Sequence, residues 1–168
     1  MKVGGEKLKA IIFDWGDTLM HDFPEFKGAM FYWPHVELMP GVKNTLAQLH
    51  TEYICCVASN AGDSNADLMG SALGRVSVKE YFRYLFTSKE LGFSKPDINF
   101  FTEIMSRIGV AADECIMVGN DYNKDIIPAK KAGMHTILVS ADTKGIEMNH
   151  ADVIISTMDE LCNALKLL

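Results

Sequence analysis

In the run Ile11-Ile12-Phe13-Asp14-Trp15-Gly16-Asp17-Thr18-Leu19 an apolar segment empties into an aspartate inside a Gly-containing turn. Three further polar blocks follow at similar points along the chain. Ser59-Asn60 comes after the apolar run from Tyr53 to Ala58, and Lys95-Pro96 comes after Phe86-Thr87-Ser88-Lys89-Glu90-Leu91-Gly92. Gly119-Asn120-Asp121-Tyr122-Asn123-Lys124-Asp125 comes after Cys115 to Val118. A carboxylate at the C-terminal end of a strand in an α/β chain stands where such sheets bind ligands, which makes Asp14 a candidate nucleophile. The four blocks together offer a carboxylate, a hydroxyl with backbone donors, a cation and more carboxylates. That inventory suits phosphoryl transfer to an aspartate. Asp14 would attack phosphorus, and Mg²⁺ held by Asp14 and Asp121 would neutralise the anionic oxygens. Ser59 would hydrogen-bond one oxygen, and Lys95 would balance charge on nucleophile and phosphate.

These side chains need a scaffold, and the apolar pattern supplies one. Leu8 to Phe13, Tyr53 to Ala58, Cys115 to Val118, His135 to Val139 and Asp152 to Ile155 are short apolar runs without polar alternation, as expected of strands buried on both faces. Helical patterns lie between most of them. Val42, Leu46 and Leu49 share one face of the stretch from Pro40 to Leu49. Asp97 is a plausible N-cap for a helix running to Ile108, with Phe100, Ile104 and Ile108 stacked at i+4 spacing and Gly109 ending it. Asp125 to Ala132 reads as a helix stopped by Gly133, and Asp159 to Leu168 as a closing one. Strands alternating with helices predict an α/β fold: a Rossmann-like three-layer sandwich with a mostly parallel central sheet.

The length fits one domain, residues 1–168, and the 48% hydrophobic and 23% charged composition is that of a soluble globule. A net charge of -6 argues against a sequence-independent grip on nucleic acid. It leaves room for a small phosphorylated substrate, because one metal ion and one lysine reverse the local field. Cys55, Cys56, Cys115 and Cys162 form no C-x-x-C pair and read as reduced, mostly buried thiols of a cytoplasmic protein. The opening Met-Lys-Val-Gly-Gly-Glu-Lys has no apolar run of a secretory signal, and no segment approaches membrane-spanning length. The five histidines are scattered without zinc-site spacing. No G-x-x-x-x-G-K-[ST] occurs, and Gly4-Gly5 precedes a strand rather than joining strand to helix, so nucleotide binding has no motif.

The order and character of the four blocks resemble the haloacid dehalogenase superfamily, the aspartate-nucleophile hydrolases dominated by Mg²⁺-dependent phosphatases. The resemblance runs from Leu8 to about Val139. It maps the nucleophile to Asp14, the motif threonine to Thr18, the second block to Ser59 with Asn60 beside it, and the third to Lys95. The acidic fourth block maps to Asp121 and Asp125, with Asn120 where an aspartate is more usual. It implies Mg²⁺ held by Asp14, the Gly16 carbonyl and Asp121, with Asn120 and Asp125 behind them. On this reading Ser59, Asn60 and Thr18 bind substrate, and the substrate is a small phosphorylated metabolite or a phosphoprotein.

Two departures from the pattern stand out. The family's phosphatases carry an acid/base aspartate two positions after the nucleophile; here that position is Gly16, and Asp17 follows it. Asp17 is a candidate displaced acid/base, although neighbouring side chains in a turn point in different directions. General acid/base help is worth about 10²- to 10⁴-fold, so the change threatens turnover more than binding. Phe13-Asp14-Trp15-Gly16 also resembles the first motif of members that cleave carbon-phosphorus bonds, which with carbon-halogen cleavage forms the alternative chemistry. A catalytically weak phosphate- or protein-binding member is a third reading. No helical cap fits between Leu19 and Pro40. That interval holds an aromatic-rich loop, residues 20–39, with Phe23, Phe26, Phe31, Tyr32 and Trp33, a candidate for local packing, for a substrate lid, or for the contact of a homodimer. Without the resemblance, Lys95 reads as a solvated lysine, Ser59 as a turn hydroxyl and Asp125 as a helix cap.

Overall fold

The computed structural model describes residues 7–143 and 147–168. The Gly4-Gly5 pair and all but Lys7 of the N-terminal stretch read for a secretory signal lie outside the described residues. Among the described residues six strands form one sheet: β1 Ala10–Phe13, β2 Ile54–Ser59, β3 Tyr84–Thr87, β4 Cys115–Gly119, β5 His135–Val139 and β6 Val153–Ile155. Every neighbouring pair is parallel, in the order β3-β2-β1-β4-β5-β6. Five of the strands fall on the apolar runs. The sixth, β3, does not: Tyr84-Leu85-Phe86-Thr87 has no Ile or Val, and Tyr84 and Leu85 are only half-buried because the strand lies at the sheet edge.

Helices α1 Val42–Leu49, α2 Ala66–Arg75, α3 Ser88–Leu91, α4 Ile98–Ile108, α5 Ile127–Lys131 and α6 Leu161–Ala164 cover the two faces. Alternate strand residues serve opposite layers. Ile11, Phe13, Cys55, Val57, Ile116 and Val118 pack with side chains of α1, α2 and α6. Ala10, Ile12, Cys56, Ala58, Cys115 and Met117 pack with α3, α4 and α5, where Phe100, Phe101 and Ile104 are fully buried. Each fully buried Val, Ile, Met or Phe among them stabilises the fold by about 1.5–3 kcal/mol. Both layers are needed because a parallel sheet is apolar on both faces.

Two helices differ from the sequence pattern. The segment expected to be helical from Asp125 opens instead as a wide π turn, Tyr122–Ile126, capped by Asp121 and leading into α5. Its i→i+5 closure, the Ile127 N–H donating to the Tyr122 carbonyl, turns Asp125 into the interior. The closing helix is reduced to α6 flanked by the tighter turns Met158–Glu160 and Leu165–Leu167, as frequently happens where a helix starts or frays. By contrast α4 begins and ends where expected: Asp97 Oδ1 accepts from the Asn99 N–H at 2.9 Å, and Gly109, at φ 68°, takes the left-handed turn that ends it.

The aromatic loop is built onto the core. Its base is pinned by the Met20–Leu38 antiparallel bridge and by the His21 N–H donating to the Glu37 carbonyl at 2.9 Å. Met30 and Trp33 are buried, and the Arg75 guanidinium of α2 donates to the carbonyls of Phe31 and Trp33 at 2.9 and 2.6 Å. Tyr32, 71% exposed, faces solvent. Among the described residues no helix is long and apolar enough to cross a membrane.

Chain direction decides where a ligand can bind. From β1 the chain winds outward through β2 to β3, then returns to place β4 on the other side of β1. The loops leaving β1 and β4 therefore diverge, and the crevice between them opens at the C-terminal ends of the strands.

Candidate active site

Asp14 is the first residue beyond β1, and its N–H donates to the Val118 carbonyl of β4 at 2.9 Å, which fixes it over the crevice. Lys95 reaches it from the α3–α4 loop. Lys95 Nζ, only 6% exposed with its residue, donates to Asp14 Oδ1 and to Asp125 Oδ1, both at 2.7 Å, and to the Ala58 carbonyl at 3.3 Å. A buried ammonium needs such partners, because burial disfavours the charged form. Burial pulls the Lys95 pKa down, but the charges of Asp14 and Asp125 and their hydrogen bonds outweigh it and raise the lysine above its ordinary value. Asp125 goes up as well, to about 6, through burial first and the Asp14 charge second, with Lys95 opposing both. The arrangement is one cation shared between two carboxylates.

Backbone clamps hold this cluster in place. Asn60, just past β2, accepts the Lys95 N–H on Oδ1 at 2.8 Å and donates Nδ2 to the Lys95 carbonyl at 3.0 Å. Asn60 thereby fixes both backbone polar groups of the lysine. Asp125 Oδ2 accepts the Asp121 N–H at 3.1 Å. Its approach depends on Gly119: a Cβ there would stand 2.3 Å from Asp125 Oδ2. Thr18 Oγ1 lies 3.2 Å from Asp14 Oδ2 and 3.1 Å from Asn120 Oδ1, linking the loops after β1 and β4. Ser59, at the end of β2, accepts the Ala61 N–H on Oγ at 3.1 Å, so its hydroxyl proton is available to an incoming oxygen.

Asp14, Gly16, Asp17, Ser59, Asn60, Lys95, Asn120, Asp121 and Asp125 all line one cavity of about 250 Å³. Thr18 sits beneath it, fully buried. Asp17 adopts φ 58°, and its Oδ1 accepts the Asp22 N–H at 2.9 Å. Asp22 itself also lines the cavity. Burial, then the charges of Asp17 and Asp14, raise its pKa. Sequence reasoning missed Asp22, which has no motif spacing and sits in an aromatic loop. A second cavity, of about 430 Å³, adjoins the first, shares Gly16, Asp22 and Ser59 with it, and is walled by Trp15, Phe26, Met30 and Trp33.

Charge and donor type in the smaller cavity suit Mg²⁺. Five aspartates, Asp14, Asp17, Asp22, Asp121 and Asp125, face two lysines, Lys95 and Lys124. A phosphate dianion would be repelled from that field without an added cation. Among the described residues no three or more His, Cys, Asp or Glu side chains are grouped as a metal site by themselves. A set of two carboxylates and a carbonyl is still adequate for Mg²⁺, which keeps several waters and commonly takes one or two protein carboxylates plus substrate oxygens. Asp121 is prepared for this: its Oδ1 accepts the N–H groups of Asn123 and Lys124 at 3.0 and 2.9 Å, a cap that does not engage Oδ2. The buried thiols take no part, since burial pushes Cys55 and Cys115 up to about 12.

A model of the haloacid dehalogenase-like hydrolases matches residues 6–139. The chain belongs to that family. Among curated relatives, a glyceraldehyde 3-phosphate phosphatase of Methanothermobacter thermautotrophicus is 38% identical over 46% of this chain and 34% of its own length. A ribulose-1,5-bisphosphate 5-phosphatase of Halopiger xanaduensis is 30% identical over 77% of this chain and 57% of its own. The chain thus spans between about a third and somewhat over half of these relatives. Among solved structures, an uncharacterized protein of Listeria monocytogenes serotype 4b has a TM-score of 0.82 at 23% identity, covering 95% of this chain and 98% of that one. A HAD phosphatase from Thermococcus onnurineus has a TM-score of 0.78 at 20% identity, covering 94% and 98%. A Bacillus subtilis HAD-hydrolase described as bound to magnesium has a TM-score of 0.77 at 15% identity, covering 96% and 100%. At these identities the three structures establish the shared fold.

Proposed function

We propose that this family member is a Mg²⁺-dependent phosphatase that hydrolyses the monoester of a small phosphorylated metabolite through an aspartyl-phosphate on Asp14. The observation that carries the reading is the Asp14–Lys95–Asp125 chain, with both lysine contacts at 2.7 Å, placed at the switch point of the sheet and facing Asp121. Lys95 orients Asp14 through its 2.7 Å contact, and its second bond to Asp125 keeps the ammonium from swinging away. Ser59 donates to a phosphoryl oxygen. Asp14, Asp121 and the Gly16 carbonyl would hold the ion, which supplies positive charge against the phosphoryl oxygens. The names of the relatives, a triose phosphate phosphatase and a ribulose bisphosphate phosphatase, support a short phosphorylated carbohydrate as substrate.

The test is release of inorganic phosphate from a panel that includes glyceraldehyde 3-phosphate, other sugar phosphates and an aryl phosphate, with and without Mg²⁺. The expected result is Mg²⁺-dependent release that Asp14→Asn abolishes. Release that survives Asp14→Asn would sink the reading. Gly16 favours a second one, a cradle that binds phosphate with little turnover. It predicts binding of Mg²⁺ and orthophosphate with no hydrolysis of any ester on the panel.

A further inference from the structure

Position 16 does not demand a glycine. Gly16 lies outside the positive-φ residues. A Cβ built on it would meet nothing closer than 3.4 Å, an ordinary contact. What it would meet is a single side chain, with Asp22 Cβ at 3.4 Å, Asp22 Oδ2 at 3.6 Å and Asp22 Cγ at 3.7 Å. The space that a carboxylate at position 16 would enter already holds a carboxylate, delivered from the aromatic loop. Asp22 also stands where the two cavities meet, bordering both the small one around Asp14 and Lys95 and the larger one under Phe26 and Trp33. A monoester with its phosphoryl group at Asp14 and its organic part under the aromatic loop would pass its bridging oxygen through that junction.

We propose that Asp22 is the general acid/base of this chain, replacing in space the carboxylate that Gly16 lacks in sequence. The inference rests on the phosphatase reading. In the first half-reaction an Asp14 oxygen bonds to phosphorus while the phosphorus–ester oxygen bond breaks, and the departing oxygen takes the Asp22 proton. In the second half a water oxygen bonds to phosphorus, the Asp14–phosphorus bond breaks, and the water proton returns to Asp22. Phosphate leaves, and both carboxyl groups regain their starting states. Asp17 has a different duty: its Oδ1 accepts the Asp22 N–H at 2.9 Å, which sets the backbone from which Asp22 reaches in. A proton donor matters most when the leaving group is a poor one, and that dependence separates acid catalysis from a structural role.

The experiment compares kcat/KM for an alkyl phosphate, glycerol phosphate, with that for 4-nitrophenyl phosphate, whose leaving group departs without a proton. The ratio on one preparation does not depend on the fraction folded. Asp22→Asn is expected to cut the alkyl value by about 10²- to 10⁴-fold and the aryl value far less. The double variant Gly16→Asp/Asp22→Asn is expected to recover much of the alkyl activity. Equal losses on both esters, no loss on either, or a leaving-group-dependent loss in Asp17→Asn instead would overturn the assignment of Asp22. If the wild type hydrolyses neither ester, the phosphatase reading falls first. If it hydrolyses both and Asp14→Asn stops it while Asp22→Asn is silent, only the Asp22 proposal falls.

Discussion

Lys95 is 6% exposed, and Asp14 and Asp125 compensate its charge. Removing one partner of such a group is more damaging than never having buried it, because the remaining charges are left facing each other. Lys95→Met is therefore expected to lose about 3–5 kcal/mol of stability in urea unfolding, together with phosphate release. A drop below about 1 kcal/mol would mean that water reaches the cluster. Asp14 and Asp121 could be picked out of the sequence because they follow apolar runs, and Lys95 and Asp125 because the four blocks come in a recognisable order. Asn60 was legible as a neighbour of Ser59, but not as the clamp on the Lys95 backbone, since nothing local in the chain ties positions 35 residues apart. Asp22 was illegible for a related reason: its meaning lies in its distance to a glycine that has no side chain.

At the scale of elements, the edge of the sheet shows how one carboxylate can fasten a strand. Asp152, just before β6, accepts from Lys130 Nζ of α5 at 2.6 and 2.9 Å and from the Thr136 N–H of β5 at 2.9 Å. Burial alone would raise its pKa, but the Lys130 hydrogen bond and then the Thr136 N–H hold it below the ordinary value. A carboxyl with a depressed folded pKa adds stability that is present above its unfolded pKa and disappears as pH falls through the folded one. The pair is partly exposed and screened, so its worth is about 0.5–1 kcal/mol. Asp152→Asn should thus melt about 1–4 °C below the wild type at neutral pH, and the gap should close as the buffer is taken below the usual carboxylate range near 3.8. A gap that persists unchanged in acid would assign the loss to packing. Apolar runs revealed four strands because buried parallel strands are apolar throughout, and a fifth, the edge strand β6, because it is Val-Ile-Ile even though Ile154 is exposed. A strand was expected between Asn60 and Lys95, but the position of β3 and the π turn before α5 stayed hidden: one is half-buried with aromatic and polar residues, and the other has the same composition as a helix.

On the scale of the molecule, the α/β class and parallel sheet follow from alternation of pattern, whereas the strand order that creates the crevice does not. Reversal at β1/β4 depends on which side of β1 the returning chain takes, and no local residue encodes that. Its consequence is that the site draws on distant segments: Asp14 after β1, Ser59 at the end of β2, Lys95 before α4 and Asp121 after β4. The unfolded chain scatters these groups, so a ligand that bridges them binds the folded form alone and stabilises it by mass action. Mg²⁺ with beryllofluoride, a phosphoryl mimic that bonds to a carboxylate oxygen, is the suitable probe. At about 100 times its Kd it should contribute about 2.7 kcal/mol, a rise in melting temperature of about 5–10 °C for a chain of this size. Asp14→Asn should abolish the rise by removing the oxygen that bonds to beryllium, and omission of Mg²⁺ should abolish it by leaving Asp14, Asp121 and the anion to repel one another. An equal rise in Asp14→Asn would show that the mimic binds elsewhere, and the crevice at the switch point would lose its claim to be the phosphoryl site.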